Sequence, residues 1–164
     1  MGHNITALAI ATTYDREVAA SYGLVERLAS GSLFVFAIDH YWSAYWQAKR
    51  GGIDGMLAVD PSLPGIFPTE GVIRTCAREL TRLIAPKFAV IQTEYFGGSG
   101  EQWAALFEGE RTLLFNTSVN EALRALGVMR SEGFDEWDTI GLADYRSNPE
   151  HLEKYVELCE QLGV

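Results

Sequence analysis

The chain has 164 residues, of which 48% are apolar and 21% are charged, a composition typical of one globular domain. A chain of this length buries roughly 70% of its unfolded surface, so we expect it to fold without a disulfide or a structural metal. The same composition, with no repeating period, excludes a collagen, a coiled coil, a mostly disordered chain and a repeat solenoid.

The net charge narrows the classes of partner. The formal charge is -9 and the isoelectric point is near 4.8, which argues against binding to nucleic acid or to an anionic membrane. Residues 131–164 hold nine acidic and two basic side chains and therefore carry -7 of this charge. This segment is either a solvated surface that keeps the protein soluble or a docking surface for a basic partner.

The cysteines, the histidines and the first residues bear on cofactors and location. Cys76 and Cys159 lie far apart among apolar neighbours, which predicts buried free thiols in a reducing compartment. The three histidines do not have the spacing of a metal site, and His3 and His151 are expected at the surface. The first residues lack the positive stretch of a secretory signal, so we expect a cytoplasmic protein. From the cysteine and histidine spacing we expect no metal, and we expect no cofactor.

The first third of the chain predicts three strands and a helix. Thr6–Tyr14 is β-branched and apolar and predicts a strand, after which Asp15 is expected to cap a helix over Arg16–Ser30. Leu33–Ile38 is a continuous apolar run, typical of a strand buried on both faces. Asp39–Arg50 is rich in aromatic residues whose spacing fits both a helix and a strand, and we favour a strand.

The middle of the chain predicts a long helix. Met56–Val59 predicts a short strand, and the three prolines of residues 60–68 indicate a stiff loop. Thr69 is expected to cap a helix whose apolar positions recur about every 3.6 residues until Pro86 stops it.

The segment after this helix predicts an antiparallel meander. Phe88–Phe96, Gln102–Glu108 and Arg111–Phe115 read as consecutive strands. Thr117 or Ser118 is then expected to cap a short helix.

The C-terminal part predicts an acidic, turn-rich connection over residues 131–147 and a last helix. Asn148 and Pro149 stand in the preferred order for the cap and the first residue of that helix. No linker divides the chain. We therefore predict a single α+β domain over residues 1–164, with a mostly antiparallel sheet of five or six strands packed with about four helices.

The Gly97–Gly100 loop is the first candidate for a binding place. A phosphate-binding loop leads into a helix N-terminus, whereas this loop leads into a predicted strand with an acidic residue on each side. It therefore predicts a flexible hairpin connection. Glu94, Tyr95 and Gln102 flank the loop and are candidates for contacts with a partner, because loops held by rigid strands are common binding places.

Trp42 and Trp46 are the second candidate. In a strand they would share one face, while Tyr41 and Tyr45 would share the other. Large rings of this kind either complete a core or, where exposed, anchor a protein interface.

The third candidate combines carboxylates with a large ring in Asp135, Glu136, Trp137 and Asp138. Carboxylates steer the approach of a basic partner and an aromatic ring anchors the complex, so these four residues are candidates for partner binding. The alternative is a partly ordered loop folded over the sheet.

His40 and Glu94 supply an acid/base pair in principle, because histidine titrates near neutral pH. The chain has no Gly-x-Ser-x-Gly elbow, and neither cysteine has a catalytic neighbourhood. We therefore expect a structural or exposed His40 and assign no catalytic residue.

Three segments, Glu94–Gln102, Asn120–Val128 and Asp135–Asp138, resemble small bacterial proteins that are encoded beside toxins as immunity factors. The resemblance covers about the last half of the chain and contains no catalytic motif. It implies a stoichiometric inhibitor, acidic because its target is often a basic nuclease.

The sequence thus predicts a small acidic protein-binding module without catalytic activity, with an immunity or antitoxin-like inhibitor of a basic partner as its specific form. Two alternatives stay open. One is a small enzyme with a pocket near the Gly97–Gly100 loop that uses Glu94 and His40. The other is a structural homodimer joined through an aromatic edge strand, since unpaired strand edges invite pairing.

Overall fold

The computed structural model describes residues 2–164, which contain strands and helices in short consecutive groups of each kind. The strands are β1 (Thr6–Ile10), β2 (Glu26–Ser30), β3 (Leu33–Ala37), β4 (Lys87–Phe96), β5 (Ser99–Glu108) and β6 (Arg111–Thr117). The helices are α1 (Arg16–Ser21), α2 (His40–Lys49), α3 (Val72–Thr81), α4 (Val119–Ala125), α5 (Glu136–Thr139) and α6 (Lys154–Leu162). Short 3-10 turns lie at Leu142–Asp144 and Glu150–Leu152.

The strands form one sheet in the order β2-β3-β1-β4-β5-β6, and each neighbouring pair is antiparallel. β1 lies between β3 and β4 and is buried along its whole length. The part of the chain from residue 2 to 164 therefore holds six strands and six α-helices. The predicted single α+β domain with a mostly antiparallel sheet is confirmed, with more short helices than expected.

The helices fall into two groups that cover the sheet. α4 contacts β4, β5 and α5, whereas α2 contacts both α3 and α6, and α1 contacts α3. Successive side chains of a strand point to opposite faces, and all five residues of β1 are buried, so both faces of the sheet are covered at its centre. The group of α4 and α5 forms the side on which the site described below lies.

The predicted helix over Arg16–Ser30 is wrong in its second half. Asp15 caps α1 as predicted, by accepting hydrogen bonds from the first backbone N–H groups of the helix. The chain then turns at Gly23, whose φ of +66° is a conformation that favours glycine. The following residues form β2 at the edge of the sheet, because pairing with β3 outweighs a local helical period.

The predicted strand over Asp39–Arg50 is also wrong, because this segment forms α2. The Asp39 carboxylate caps the helix by accepting from the Trp42 N–H at 2.7 Å. The Trp42 indole then donates to the Tyr22 carbonyl at 2.8 Å inside the core. The predicted strand over Met56–Val59 is reduced to one isolated bridge.

The other predicted elements are present with shifted ends. β3, β4 and β6 occupy the predicted runs, and β5 begins at Ser99, before its predicted start. Ser118 caps α4 as predicted, and its hydroxyl accepts from the Glu121 N–H at 3.1 Å. The predicted Thr69 cap is wrong, because α3 begins at Val72 with Gly71 as its N-cap residue, and the helix ends at Thr81, before Pro86.

Asn148 connects the C-terminal part to the sheet. Its predicted role as a helix cap is wrong. Its side-chain oxygen accepts from the Thr6 N–H at 3.2 Å and from the Tyr145 hydroxyl at 3.0 Å. Its amide donates to the Ile38 carbonyl at 3.1 Å. The acidic C-terminal part is therefore attached to both β1 and the end of β3.

The two cysteines, Cys76 and Cys159, are free and buried, as predicted. Among residues 2–164, the helices are all too short or too polar to cross a bilayer.

Candidate functional site

Two grooves adjoin the end of the β4–β5 hairpin. The hairpin turns at Gly97 and Gly98, which have φ of +62° and +80°. Two successive residues with positive φ match the tight turn that fits the twist of paired strands. The predicted hairpin connection is thus present as a two-residue turn, and residues 94–103 around it are called the hairpin end below.

The larger set of predicted site residues lies in the Trp137 groove, a cavity of about 380 Å³. It is lined by Gly2, His3, Tyr95, Gly98, Gln102, Asn120, Asp135, Trp137, Ala143 and Arg146. The volume falls in the range of about 300–1,000 Å³ that is common for ligand pockets. Residues from the N-terminal segment, the hairpin end, α4 and α5 therefore meet at one place.

His3 forms part of this groove and is buried, so its expected surface position is wrong. The segment before β1 continues to pair with β4, and His3 exchanges backbone hydrogen bonds with Tyr95 at 3.0 and 2.9 Å. Its ring Nδ1 lies 2.7 Å from the Thr93 hydroxyl, and its Nε2 donates to the Leu142 carbonyl at 2.9 Å. Both ring nitrogens are thereby occupied within the protein.

The aromatic rings of the groove contact one another. The His3 and Trp137 rings have centroids 4.8 Å apart, and the Trp137 and Tyr95 rings meet edge to face at 6.3 Å. Such arrangements are favourable for aromatic pairs. They orient the three rings before any ligand arrives.

Two amide side chains fix the walls. The Gln102 amide donates to the Tyr95 hydroxyl at 2.9 Å, while its oxygen accepts from the Val119 N–H at 2.8 Å. The Asn120 oxygen accepts from the Trp137 N–H at 2.8 Å, and its amide donates to Asp135 at 3.1 Å. These bonds connect the hairpin end to α4 and connect α4 to α5.

Asp135 is the N-cap of α5 and lies in the groove as a carboxylate. Its Oδ1 accepts from the Asp138 N–H at 2.8 Å. This backbone bond, together with the Asn120 amide, holds the pKa of the Asp135 carboxyl below its ordinary value. Asp135 therefore places a carboxylate charge in the groove at neutral pH, and the Arg146 guanidinium, which also lines the groove, carries the opposite charge.

The second cavity, the Glu94 groove, has a volume of about 480 Å³ and shares Gly2 and Tyr95 with the first. Glu94 and Glu101 both line it and face each other directly in the β4–β5 register. Phe96, which also lines it, is 84% exposed. The Trp103 ring, which is half-buried, completes this groove.

Four of the predicted partner-binding residues lie outside both grooves. Trp42 is fully buried in the core, and Trp46 is partly buried with its ring 5.3 Å from that of Tyr22. The burial of Trp42 rules out a direct contact of this side chain with a partner. Glu136 is also buried, whereas Asp138 is exposed in the first turn of α5.

The predicted acid/base pair is not assembled by either groove. His40 begins α2 and its ring lies 4.1 Å from that of Tyr41. No hydrogen bond or groove within residues 2–164 joins His40 to Glu94. Residues 2–164 also contain no group of three histidine, cysteine or acidic side chains placed to hold a metal ion.

Sequence reasoning did not assign the polar lining residues His3, Asn120 and Arg146 to a site. No local pattern marks any of them as a groove residue. The chain matches no protein-family model, no curated protein and no solved structure.

Proposed function

We propose that this chain is a protein-binding module that inhibits a basic partner, in the manner of an immunity protein, and that it binds this partner through the hairpin end. One observation carries the proposal. Five residues predicted from the sequence as partner-binding line the two adjoining grooves: Glu94, Tyr95, Gln102, Asp135 and Trp137. They come from two distant segments of the chain.

The Glu94 groove favours a basic partner. Like charges placed directly opposite each other on antiparallel strands are unfavourable, and the Glu94–Glu101 pair has this arrangement. A lysine or arginine side chain of the partner would relieve the repulsion by contacting both carboxylates. The exposed Phe96 beside the pair adds apolar contact area.

The negative charge of the C-terminal segment also favours a basic partner. The segment 131–164 carries -7 of the net charge and packs beside the hairpin end through α5. A field of one sign speeds the encounter with an oppositely charged protein and is screened by salt. We therefore expect fast association at low salt that slows as salt rises.

The two alternatives have less geometric support. The groove beside the glycine turn contains His3 instead of His40, and both nitrogens of the His3 ring already have partners. A general base needs a free nitrogen within reach of its substrate. The homodimer was expected to form through an aromatic edge strand, but the aromatic segment 39–50 forms helix α2 and supplies no strand to the sheet.

Site-directed photocrosslinking tests the proposal. The photoreactive residue p-benzoylphenylalanine replaces Phe96 at the hairpin end in one sample and Ile84 in the control. Ile84 is 91% exposed and precedes β4, so it lies at the opposite end of a strand about 33 Å long. Each protein is incubated with a lysate of the source organism at low and at high salt.

We expect the label at position 96 to capture one basic protein, identified by mass spectrometry, in a 1:1 complex that weakens at high salt. The control at position 84 is expected to capture little of it. The activity of the captured protein should fall on addition of one equivalent of this chain. Equal capture at both positions, an acidic partner, or full partner activity in the complex would contradict the proposal.

A further inference from the structure

The walls of the Trp137 groove are held rigidly before any ligand binds. His3, Gln102 and Asn120 each use both polar ends of the side chain in hydrogen bonds inside the protein. A site that does not have to reorganise loses less free energy on binding. The fixed walls are therefore those of a preformed binding site.

The groups that still have bonding capacity are few. Tyr95 accepts from Gln102, so the hydrogen of its own hydroxyl is left to donate. The Asp135 oxygens accept one N–H each, and a carboxylate oxygen has room for a second. The exposed Arg146 guanidinium approaches only the Gly2 carbonyl, at 3.5 Å.

Two of these groups carry opposite charges. Asp135 and Arg146 both line the groove, and no salt bridge within residues 2–164 joins them. A ligand of one charge would be attracted by one of them and repelled by the other. A ligand with both charges would satisfy both, since each ionic group would meet its opposite.

We infer that the Trp137 groove binds a free α-amino acid with a planar side chain. Its ammonium group meets Asp135, its carboxylate meets Arg146 and the Tyr95 hydroxyl, and its side chain packs against the His3 and Trp137 rings. Aromatic rings that are already oriented favour a planar group over a flexible one. This inference is independent of the proposed function, because it needs only this chain and a small molecule.

The test is an NMR titration of the isotope-labelled full chain with L-phenylalanine, which follows backbone signals of the groove. Two matched compounds separate the charges. N-acetyl-L-phenylalanine lacks the ammonium group, and L-phenylalanine amide lacks the carboxylate. We expect L-phenylalanine to shift groove signals with saturation, and each derivative to bind about tenfold or more weakly, as for a lost charge-assisted hydrogen bond.

Two variants assign the contacts. Asp135→Asn keeps a good N-cap residue for α5 while removing the charge, and Arg146→Gln changes an exposed side chain, so both should fold. Asp135→Asn should weaken the binding of L-phenylalanine about tenfold. In this variant N-acetyl-L-phenylalanine, which keeps the carboxylate, should still bind more tightly than L-phenylalanine amide, which lacks it. Asp138→Asn and Arg130→Gln remove neighbouring charges that do not line the groove and should leave the affinity unchanged.

Three results would overturn the inference. The first is no saturable shift of groove signals at millimolar L-phenylalanine. The second is equal binding of L-phenylalanine and its two derivatives, which would mean that the charges are unused. The third is equal loss of affinity in the groove variants and in the two control variants.

Discussion

Replacing Glu136 by alanine tests whether a buried carboxylate holds α5, and with it the Trp137 groove, against α4. Glu136 is 1% exposed, and its Oε1 accepts from the Arg124 guanidinium at 2.9 Å. Arg130 approaches the other oxygen at 4.0 Å, beyond hydrogen-bond distance. The neighbours of Glu136 on either side, Asp135 and Trp137, both line the groove.

The expected loss of stability follows from the unequal burial of the pair. Removing one partner of a fully buried ion pair costs roughly 3–5 kcal/mol because the other charge stays desolvated. The Arg124 side chain is 62% exposed and can rehydrate when Glu136 is removed. The cost should therefore be nearer that of one hydrogen bond to a charged group, about 1.5–3 kcal/mol.

A double-mutant cycle measures this interaction. Urea unfolding of Glu136→Ala, Arg124→Ala and the double variant gives the coupling free energy, which we expect to be about 1–2 kcal/mol. The matched cycle with Arg130→Ala should give a smaller value, because Arg130 lies farther from the carboxylate. A coupling between Glu136 and Arg124 within about 0.3 kcal/mol of zero would refute the reasoning, since independent sites add to that precision.

Three further predictions concern stability. Asn148→Ala should lower the free energy of unfolding by about 1–3 kcal/mol for each backbone group left without its partner, and an unchanged urea midpoint would contradict this. Gly71→Ala should destabilise by about 1–3 kcal/mol, because its Cβ would overlap the Asp54 carbonyl oxygen, whereas Gly65→Ala meets open space and should be neutral in thermal unfolding. Asp135 has a lowered folded-state pKa, so its stabilising contribution is present above its ordinary value near 3.8 and is lost as the pH falls further. Asp135→Asn should accordingly flatten the acid limb of the stability profile, and an acid limb as steep as that of the parent protein would disagree.

The sheet could be predicted from the sequence where apolar runs were long. β3 and β4 coincide with continuous apolar segments, whereas a helix of this length needs apolar residues on one face only. Their predicted positions are confirmed. α2 was missed because Trp42 and Trp46 are four residues apart, which places them on one face of a helix and on one face of a strand alike. The hydrogen bond from Trp42 to the Tyr22 carbonyl, which favours the helix, is a tertiary contact.

The candidate site could be predicted only in part, for the same physical reason. Tyr95 and Gln102 were found because they flank a glycine turn, and Asp135 and Trp137 because they combine charge with an aromatic ring. His3 was missed because its ring contacts Thr93 and Leu142, which are 90 and 139 positions away in the chain. A single histidine near a strand has no local pattern that indicates such partners.

Replacing the facing carboxylates of Glu94 and Glu101 by amides most directly tests the claim that the hairpin end binds a basic partner. The affinity for the partner that crosslinking identifies is measured at low salt for the Glu94→Gln, Glu101→Gln double variant. The control is a Glu157→Gln, Glu160→Gln double variant in α6, which removes the same charge from exposed positions. We predict at least a tenfold loss for the hairpin variant with unchanged or slightly raised stability, because the facing charges repel in the free protein. The control should lose much less, and an equal loss in both variants, or no loss in either, would contradict the account.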